Sequence, residues 1–297
     1  MSLFSTEKWI AKYNGQLCGK HIVLFGASGG LGSVLCQYIL QLGGELVTVD
    51  RNPKKSADLR RSLEEKFPGS KIDSLIADLQ DMDSVKRLIA NLENIGVDII
   101  IHNAGAYSIP RRLCDTGYDN VFQINFISPY YITQALISHL AERNGRVVVV
   151  GSIAHNYAKS DALDIDFRTR SHASLAYGNA KRYWMYSAFG LAEMYSDVKF
   201  AVAHPGITFT NITAHYPKWL FWIIKNPMKL IFMPPKRAAL SIVQGMFEDV
   251  PIGSWIGPRI FQVWGRPSVK ELRTATKIEQ NHICKTAKQI YMQSQRS

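Results

Sequence analysis

Short apolar runs and longer amphipathic stretches alternate along most of this chain. Residues 22–25 are apolar and run straight into glycines at 26, 29, 30 and 32. Beyond them Leu31, Val34, Leu35, Tyr38, Ile39 and Leu42 recur at spacings of three and four, which predicts a helix with one buried face. The alternation continues, with strands predicted at 45–50, 71–77, 97–102, 146–152 and 199–204 and helices at 53–66, 81–93, 116–142 and 175–195. The unbroken valines at 147–150 read as a strand buried on both faces. Strands alternating with helices predict an α/β fold with a doubly wound parallel sheet, a Rossmann fold. Asp50, Asp78, Asn103, Ser152 and Pro205 all fall at predicted strand ends. With Gly26 they are expected on one rim, beyond the carboxyl ends of the strands, where such sheets bind ligands.

No repeat beyond this alternation and no linker divides the chain, so residues 1–297 read as a single domain. Residues 1–19 read as an amphipathic lead-in. Residues 267–297 read as a C-terminal helical extension carrying Leu272, Ile278, Ile283 and Ile290, with no function attached.

Composition narrows the classes. With 46% hydrophobic residues the chain can build a full core. Cys18, Cys36, Cys114 and Cys284 are scattered without a C-x-x-C pair, which predicts reduced thiols and neither a zinc site nor a disulfide framework. The N-terminus lacks the apolar core of a signal peptide, and no apolar run reaches the length of a membrane span. A cytoplasmic protein is therefore expected. The net charge of +11 is spread along the chain, with no nucleic-acid module, and fits attraction for anionic ligands. No acid occurs between Asp197 and Glu248, while Lys199, Lys218, Lys225, Lys229, Lys236 and Arg237 fall inside that window.

Strand, glycine turn and helix in succession form the context of a dinucleotide fingerprint, here spaced G-x3-G-x-G at Gly26, Gly30 and Gly32. The glycines let the backbone approach a pyrophosphate, and the helix N-terminus offers free N–H groups. Asp50, 20 residues after Gly30, can accept hydrogen bonds from the ribose hydroxyls of NAD. It would repel the 2′-phosphate of NADP by about 4 kcal/mol at 4 Å and an effective dielectric of 20, before solvation trims it. Arg51 pulls the other way, since an arginine can grip that phosphate.

Tyr177 and Lys181 stand four apart on a predicted helix, so phenol and ammonium share a face. A free tyrosine titrates near 10, and a neighbouring ammonium and the positive nicotinamide of an oxidised cofactor are expected to lower that value. The phenol can then exchange a proton with a substrate oxygen while hydride moves at the nicotinamide. Tyr195 and Lys199 have the same spacing but span a helix end and a strand, so they should not share a face. Ser152, at a strand end, supplies a hydroxyl for the same substrate oxygen. His155 suggests a Ser–His hydrolase, but no G-x-S-x-G elbow accompanies it. The eight histidines show no metal spacing, and His102 and His204 read as ordinary side chains at strand ends.

Taken together, residues 17–210 resemble the short-chain dehydrogenase/reductase family. The resemblance implies a catalytic tetrad of Asn125, Ser152, Tyr177 and Lys181, with Asn125 holding a water in the proton relay and Lys181 gripping the nicotinamide ribose. It implies a cofactor lying along Gly26, Ser28, Gly30, Leu31 and Gly32, then Asp50 and Arg51, Asp78 and Leu79, and Asn103, Ala104 and Gly105. Pro205, Gly206 and Ile207 would flank the nicotinamide, with Thr208 or Thr210 on its carboxamide. Phe25 replaces a threonine common before the first glycine. Ser152 and Tyr177 are 25 residues apart, with a loop of the length found in the retinol-dehydrogenase-like branch. Family members commonly form dimers or tetramers through two long helices.

In that family the region at 207–233 forms a substrate lid. Here it holds Trp219-Leu-Phe-Trp-Ile-Ile224 and Met228-Lys-Leu-Ile-Phe-Met233 around Lys225-Asn-Pro227. Such a lid favours an apolar substrate such as a steroid, retinoid or long-chain carbonyl compound. Ordinary packing and a weak membrane-surface contact are the other readings of the same residues. The expected function is an NAD-preferring oxidoreductase, with NADP as the other cofactor, interconverting a secondary alcohol and a ketone. The alternative is a nucleotide-binding sensor with the same fold and little turnover.

Overall fold

The computed structural model describes residues 5–157, 159–207 and 233–295. Eight strands form one sheet in the order β3-β2-β1-β4-β5-β6-β7-β8. They are β1 His21–Phe25, β2 Glu45–Asp50, β3 Ile72–Ile76, β4 Ile99–His102, β5 Arg146–Val150, β6 Lys199–Ala203, β7 Ser254–Ile260 and β8 Trp264–Glu271. β1 to β7 are parallel, and β8 closes the sheet antiparallel to β7. The chain winds outward from β1 through β2 and β3, then crosses to β4 and winds the other way. That reversal opens a crevice between β1 and β4 at the carboxyl ends of the strands.

Interior strands are apolar at most positions because both faces are covered. Val23, Phe25, Val147 and Val149 enter one core, and Ile22, Leu24, Val148 and Val150 the other. Burying one such side chain contributes about 1.5–3 kcal/mol, so the pattern dictates a covered sheet. A short lead-in helix α1 (Thr6–Ile10) precedes α2 (Gly32–Gln41) and α3 (Pro53–Lys66), and together they cover the second face with α9 (Pro235–Phe247). The first face carries α4 (Met82–Glu93), the helical run from 120 to 142, α8 (Ala173–Met194) and α10 (Lys277–Ser294). The lead-in docks through Tyr13, which stacks on Phe247 at 4.3 Å and donates to Glu248 Oε1 at 2.7 Å.

Three expectations need correction. The helix predicted at 116–142 begins only at Asn120, because Gly117 turns the chain at φ +77° and Asp119 caps the Val121 N–H. It then breaks into α5 (Asn120–Phe122), a π turn over Gln123–Ile127, α6 (Ser128–Ala135) and α7 (Ile137–Glu142). Pro129 has no N–H for the carbonyl four residues back at Asn125, and the Ser128 N–H bonds Gln123 instead. β4 starts at Ile99, not 97, because the Asp98 carboxylate turns aside to Lys20, Arg143 and the His21 N–H. Residues 267–271 belong to β8, so the C-terminal helix occupies only Lys277–Ser294. β7 and β8 escaped the sequence pattern because each carries a proline, and Pro258 lies opposite Pro267.

Candidate functional site

The β1 turn is built by Gly26, at φ +73°, where a Cβ would lie 2.8 Å from the Ala104 Cα. Only glycine lets the first turn approach β4 so closely. Asn103 locks the two together, donating from Nδ2 to Phe25 O at 3.2 Å and Gly26 O at 3.0 Å. Asn103 thus ties backbone to backbone as well as lining the crevice.

The crevice is a cavity of about 820 Å³. Gly26, Ser28, Gly30, Leu31, Gly32, Asp50, Arg51, Asp78, Leu79, Asn103, Ala104, Gly105, Ser152, Tyr177, Lys181, Pro205, Gly206 and Ile207 all line it. Residues named from six strand ends therefore come together on one rim, as the βα alternation predicted. Thr208, Thr210 and the lid at 208–232 lie outside the described residues. The Met233 N–H meets Ile207 O at 2.8 Å, so the chain departs from and returns to one point beside Pro205–Gly206.

Asp50 is 5% exposed at the end of β2. Its Oδ1 accepts from the Ser28 N–H at 2.9 Å and the Ser28 hydroxyl at 2.8 Å. Its Oδ2 is buried without a hydrogen-bond partner among the described residues. An orphaned carboxylate oxygen at the cavity wall costs desolvation free energy that a ribose hydroxyl donor would recover. Arg51, Asn52 and Lys55 line the same end. The residues present fit a nicotinamide dinucleotide.

At the other end Ser152 and Tyr177 face each other. Ser152 follows β5 and caps the 3-10 turn Ile153–Asn156, its hydroxyl accepting from the Ala154 N–H at 3.2 Å. That turn lies against α8 at Gly178, where a Cβ would fall 2.2 Å from Ala154 O. The close approach brings the Ser152 hydroxyl beside the Tyr177 phenol, both on the cavity wall. Burial pushes that phenol up to about 12, and the neighbouring Ser152 hydroxyl opposes the rise. The depression expected from Lys181 is not what the geometry delivers. Its ammonium donates to Val150 O at 3.0 Å and lies 5.7 Å from the Tyr177 ring centre. Lys181 itself is 2% exposed, and desolvation lowers it to about 8.

Asn125 sits in the π turn, one layer behind the cavity wall. Its Nδ2 donates to Val121 O at 2.8 Å and Ala106 O at 2.9 Å, and its Oδ1 accepts the Ala106 N–H at 3.2 Å. It clamps the chain that follows Gly105. Tyr195 caps α8 while Lys199 opens β6, so the second tyrosine–lysine pair shares no face.

The hydrolase reading fails on geometry. His155 Nδ1 bonds the Ser152 carbonyl at 2.6 Å, not its hydroxyl. His102 Nε2 pairs with Thr133 Oγ1 at 2.9 Å and His204 Nε2 with Gln262 O at 3.1 Å, both through ordinary bonds.

Sequence reading missed Tyr107 and Tyr157. Both line the cavity, and Tyr107 meets the Tyr177 ring edge-on at 5.3 Å. Neither sits in a periodic or motif position, so only the folded loops bring them there.

A crevice at the sheet's reversal point, lined by a glycine turn and a buried acid at one end and by Ser152, Tyr177 and Lys181 at the other, fits a nicotinamide-dependent oxidoreductase. Residues 20–162 match the family model described as short chain dehydrogenase. An uncharacterized oxidoreductase of Schizosaccharomyces pombe is 28% identical over 256 residues, 80% of this chain and 75% of its own. Retinol dehydrogenase 12 of Mus musculus is 26% identical over 272 residues, 89% of this chain and 85% of its own. Polyprenol dehydrogenase of Homo sapiens is 23% identical over 236 residues, 74% and 70%. Among solved structures, an uncharacterized protein of Mycobacterium paratuberculosis superposes with TM-score 0.74 at 22% identity, covering 97% of this chain and 96% of that one. A 3-oxoacyl (acyl-carrier-protein) reductase of Agrobacterium tumefaciens with NADP bound gives TM-score 0.62 at 18% identity, covering 82% and 92%.

Proposed function

We propose that the protein interconverts a secondary alcohol and a ketone on an apolar substrate, with NAD as the preferred cofactor. The bound nicotinamide supplies or accepts hydride. Tyr177 exchanges the proton with the substrate oxygen, and the Ser152 hydroxyl orients that oxygen and favours the phenolate. Lys181 presents its ammonium to the nicotinamide ribose, and Asn125 fixes the wall at 104–106. The phenol, held up at about 12, supplies the proton in the reductive direction. The single observation that carries this reading is that Ser152, Tyr177 and Lys181 line one dinucleotide-sized cavity with the glycine turn and Asp50.

Two features favour an apolar substrate. Tyr107, Ile109, Ile153 and Tyr157 line the cavity around Tyr177, and such rings present wide apolar faces. Relatives named for retinol and polyprenol act on long apolar alcohols, and this chain spans most of their length.

The test is cofactor oxidation over carbonyl compounds graded in size and polarity. Turnover should rise with apolar size and fall by two orders of magnitude or more in Tyr177→Phe, with dinucleotide affinity kept. Tyr195→Phe should leave turnover unchanged. Dinucleotide binding with no turnover across the panel would favour a nucleotide sensor.

A further inference from the structure

Arg182 follows Lys181 on α8 and therefore points about 100° away from it, out of the cavity and toward the C-terminal segment. It is 1% exposed. Its Nε and Nη2 grip the two Glu279 oxygens on α10, each at 2.7 Å. Nη1 donates to His155 O at 2.9 Å, and Nη2 also reaches Thr274 O at 2.5 Å. Glu279 Oε1 in turn takes the Ser160 N–H at 2.8 Å and hydroxyl at 2.9 Å. One guanidinium–carboxylate pair thus holds together α8, α10 and two points, His155 and Ser160, on the segment that follows Ser152.

A second chain of bonds runs to Ser152 itself. The His155 ring is fully buried, with Nδ1 at 2.6 Å from Ser152 O and Nε2 at 3.0 Å from Thr274 Oγ1. Thr274 Oγ1 also lies 2.6 Å from the Tyr186 hydroxyl. A carbonyl can only accept, so the His155 proton sits on Nδ1 and Nε2 accepts from Thr274. Thr274, its own proton given to His155, accepts from Tyr186. Donors and acceptors then match along the whole path with a neutral imidazole. Burial lowers His155 to about 4, which keeps it neutral across the working range.

We propose that Arg182, His155, Thr274 and Glu279 form a brace through which the C-terminal segment holds Ser152 at the Tyr177 hydroxyl. These are positioning residues: none lines the cavity among the described residues. The hairpin β7–β8 carries the chain across the sheet edge and delivers Thr274 and Glu279 to the back of the Ser152 turn. Proton transfer is thereby tuned from residues that line no part of the cavity among the described residues. The proposal rests on the reading of Ser152 and Tyr177 as the proton-transfer pair.

The test compares Thr274→Val, which keeps shape and removes the hydroxyl, with Thr274→Ser, which restores it. Glu279→Gln is the second variant. Thr274→Val should lower kcat on the order of tenfold to a hundredfold, since small misplacements of reacting groups have that effect. Dinucleotide affinity should not change. The pH–kcat inflection belonging to Tyr177 should move upward, because a displaced Ser152 no longer favours the phenolate. Lys181, Tyr107 and Tyr157 also face that phenol and are untouched by these changes. Thr274→Ser should recover both rate and profile. Amide hydrogen exchange over residues 152–160, which needs no turnover, should speed up in Thr274→Val and Glu279→Gln. If the wild type turns over nothing, the functional reading fails, and exchange still decides whether the brace exists. Folded variants with unchanged kcat and pH profile would overturn the proposal, as would loss of folding in both, which would assign the network to stability alone.

Discussion

A Cβ on Gly178 would stand 2.2 Å from the carbonyl oxygen of Ala154, so the helix that carries Tyr177 and the turn that carries Ser152 meet at a residue without a side chain. Two effects compete in Gly178→Ala. Helix propensity gains about 1 kcal/mol. Overpacking against backbone costs about 1–3 kcal/mol and must push the turn from the helix. The expected outcome is a lower Tm and a kcat loss of tenfold or more with dinucleotide affinity kept. A variant more stable than wild type with full kcat would show that the contact is dispensable.

Cofactor choice turns on Asp50 and Ser28. Asp50→Ala removes the orphaned Oδ2 and leaves Arg51 and Lys55 opposed only by Asp78 among the described lining residues at that end of the cavity. NAD affinity should fall about tenfold or more, as for a lost charge-assisted bond of about 1.5–3 kcal/mol, and NADP should gain relative to it. Ser28→Ala should give a smaller loss with the same sign, since it removes one of the two bonds that hold Oδ1 and keeps the backbone one. Direct titration of both dinucleotides checks this, and a wild type that already prefers NADP contradicts it.

Lys181 makes the protein sensitive to pH on the alkaline side. Its folded value of about 8 lies below the ordinary 10.5, so between these limits the unfolded chain binds more protons. Stability should therefore rise with pH from about 8 to 9, beyond which the raised thiols of Cys36 and Cys114 and then the raised tyrosines such as Tyr38 and Tyr130 reverse the slope. Dinucleotide affinity should move oppositely and weaken above about 8 as the ammonium is lost. Thermal unfolding and cofactor titration at matched pH values measure the two slopes, and both should vanish in Lys181→Met.

Which features were legible in the sequence follows from the range of the forces involved. Period-two and period-3.6 burial are local, so β1 to β3, β5, β6, α2 to α4 and α8 could be read from residue type alone. Burial on both sheet faces makes Val147 to Val150 unmistakable. The parallel order then puts Gly26, Asp50, Asp78, Asn103, Ser152 and Pro205 on one rim without any contact being known. Lys181 and Tyr177 could be paired because four residues on a helix is also a local distance.

The tertiary structure decided the rest, where one residue's state depends on another far along the chain. Pro129 converts a long predicted helix into a π turn, and only packing turns Asn125 back toward Ala106. Pro258 and Pro267 argue against strands singly, yet they stand opposite each other in β7 and β8 because the sheet edge leaves their missing N–H groups without consequence. The depression expected for the Tyr177 phenol depended on where the Lys181 charge would point. Burial and the Val150 carbonyl settle that, and neither is written within four residues of either side chain. His155 read as a hydrolase nucleophile's partner, and Arg182 carried no reading at all. Their roles depend on Thr274 and Glu279, about a hundred residues away, because a hydrogen bond to a buried acceptor has meaning only once the fold has removed water.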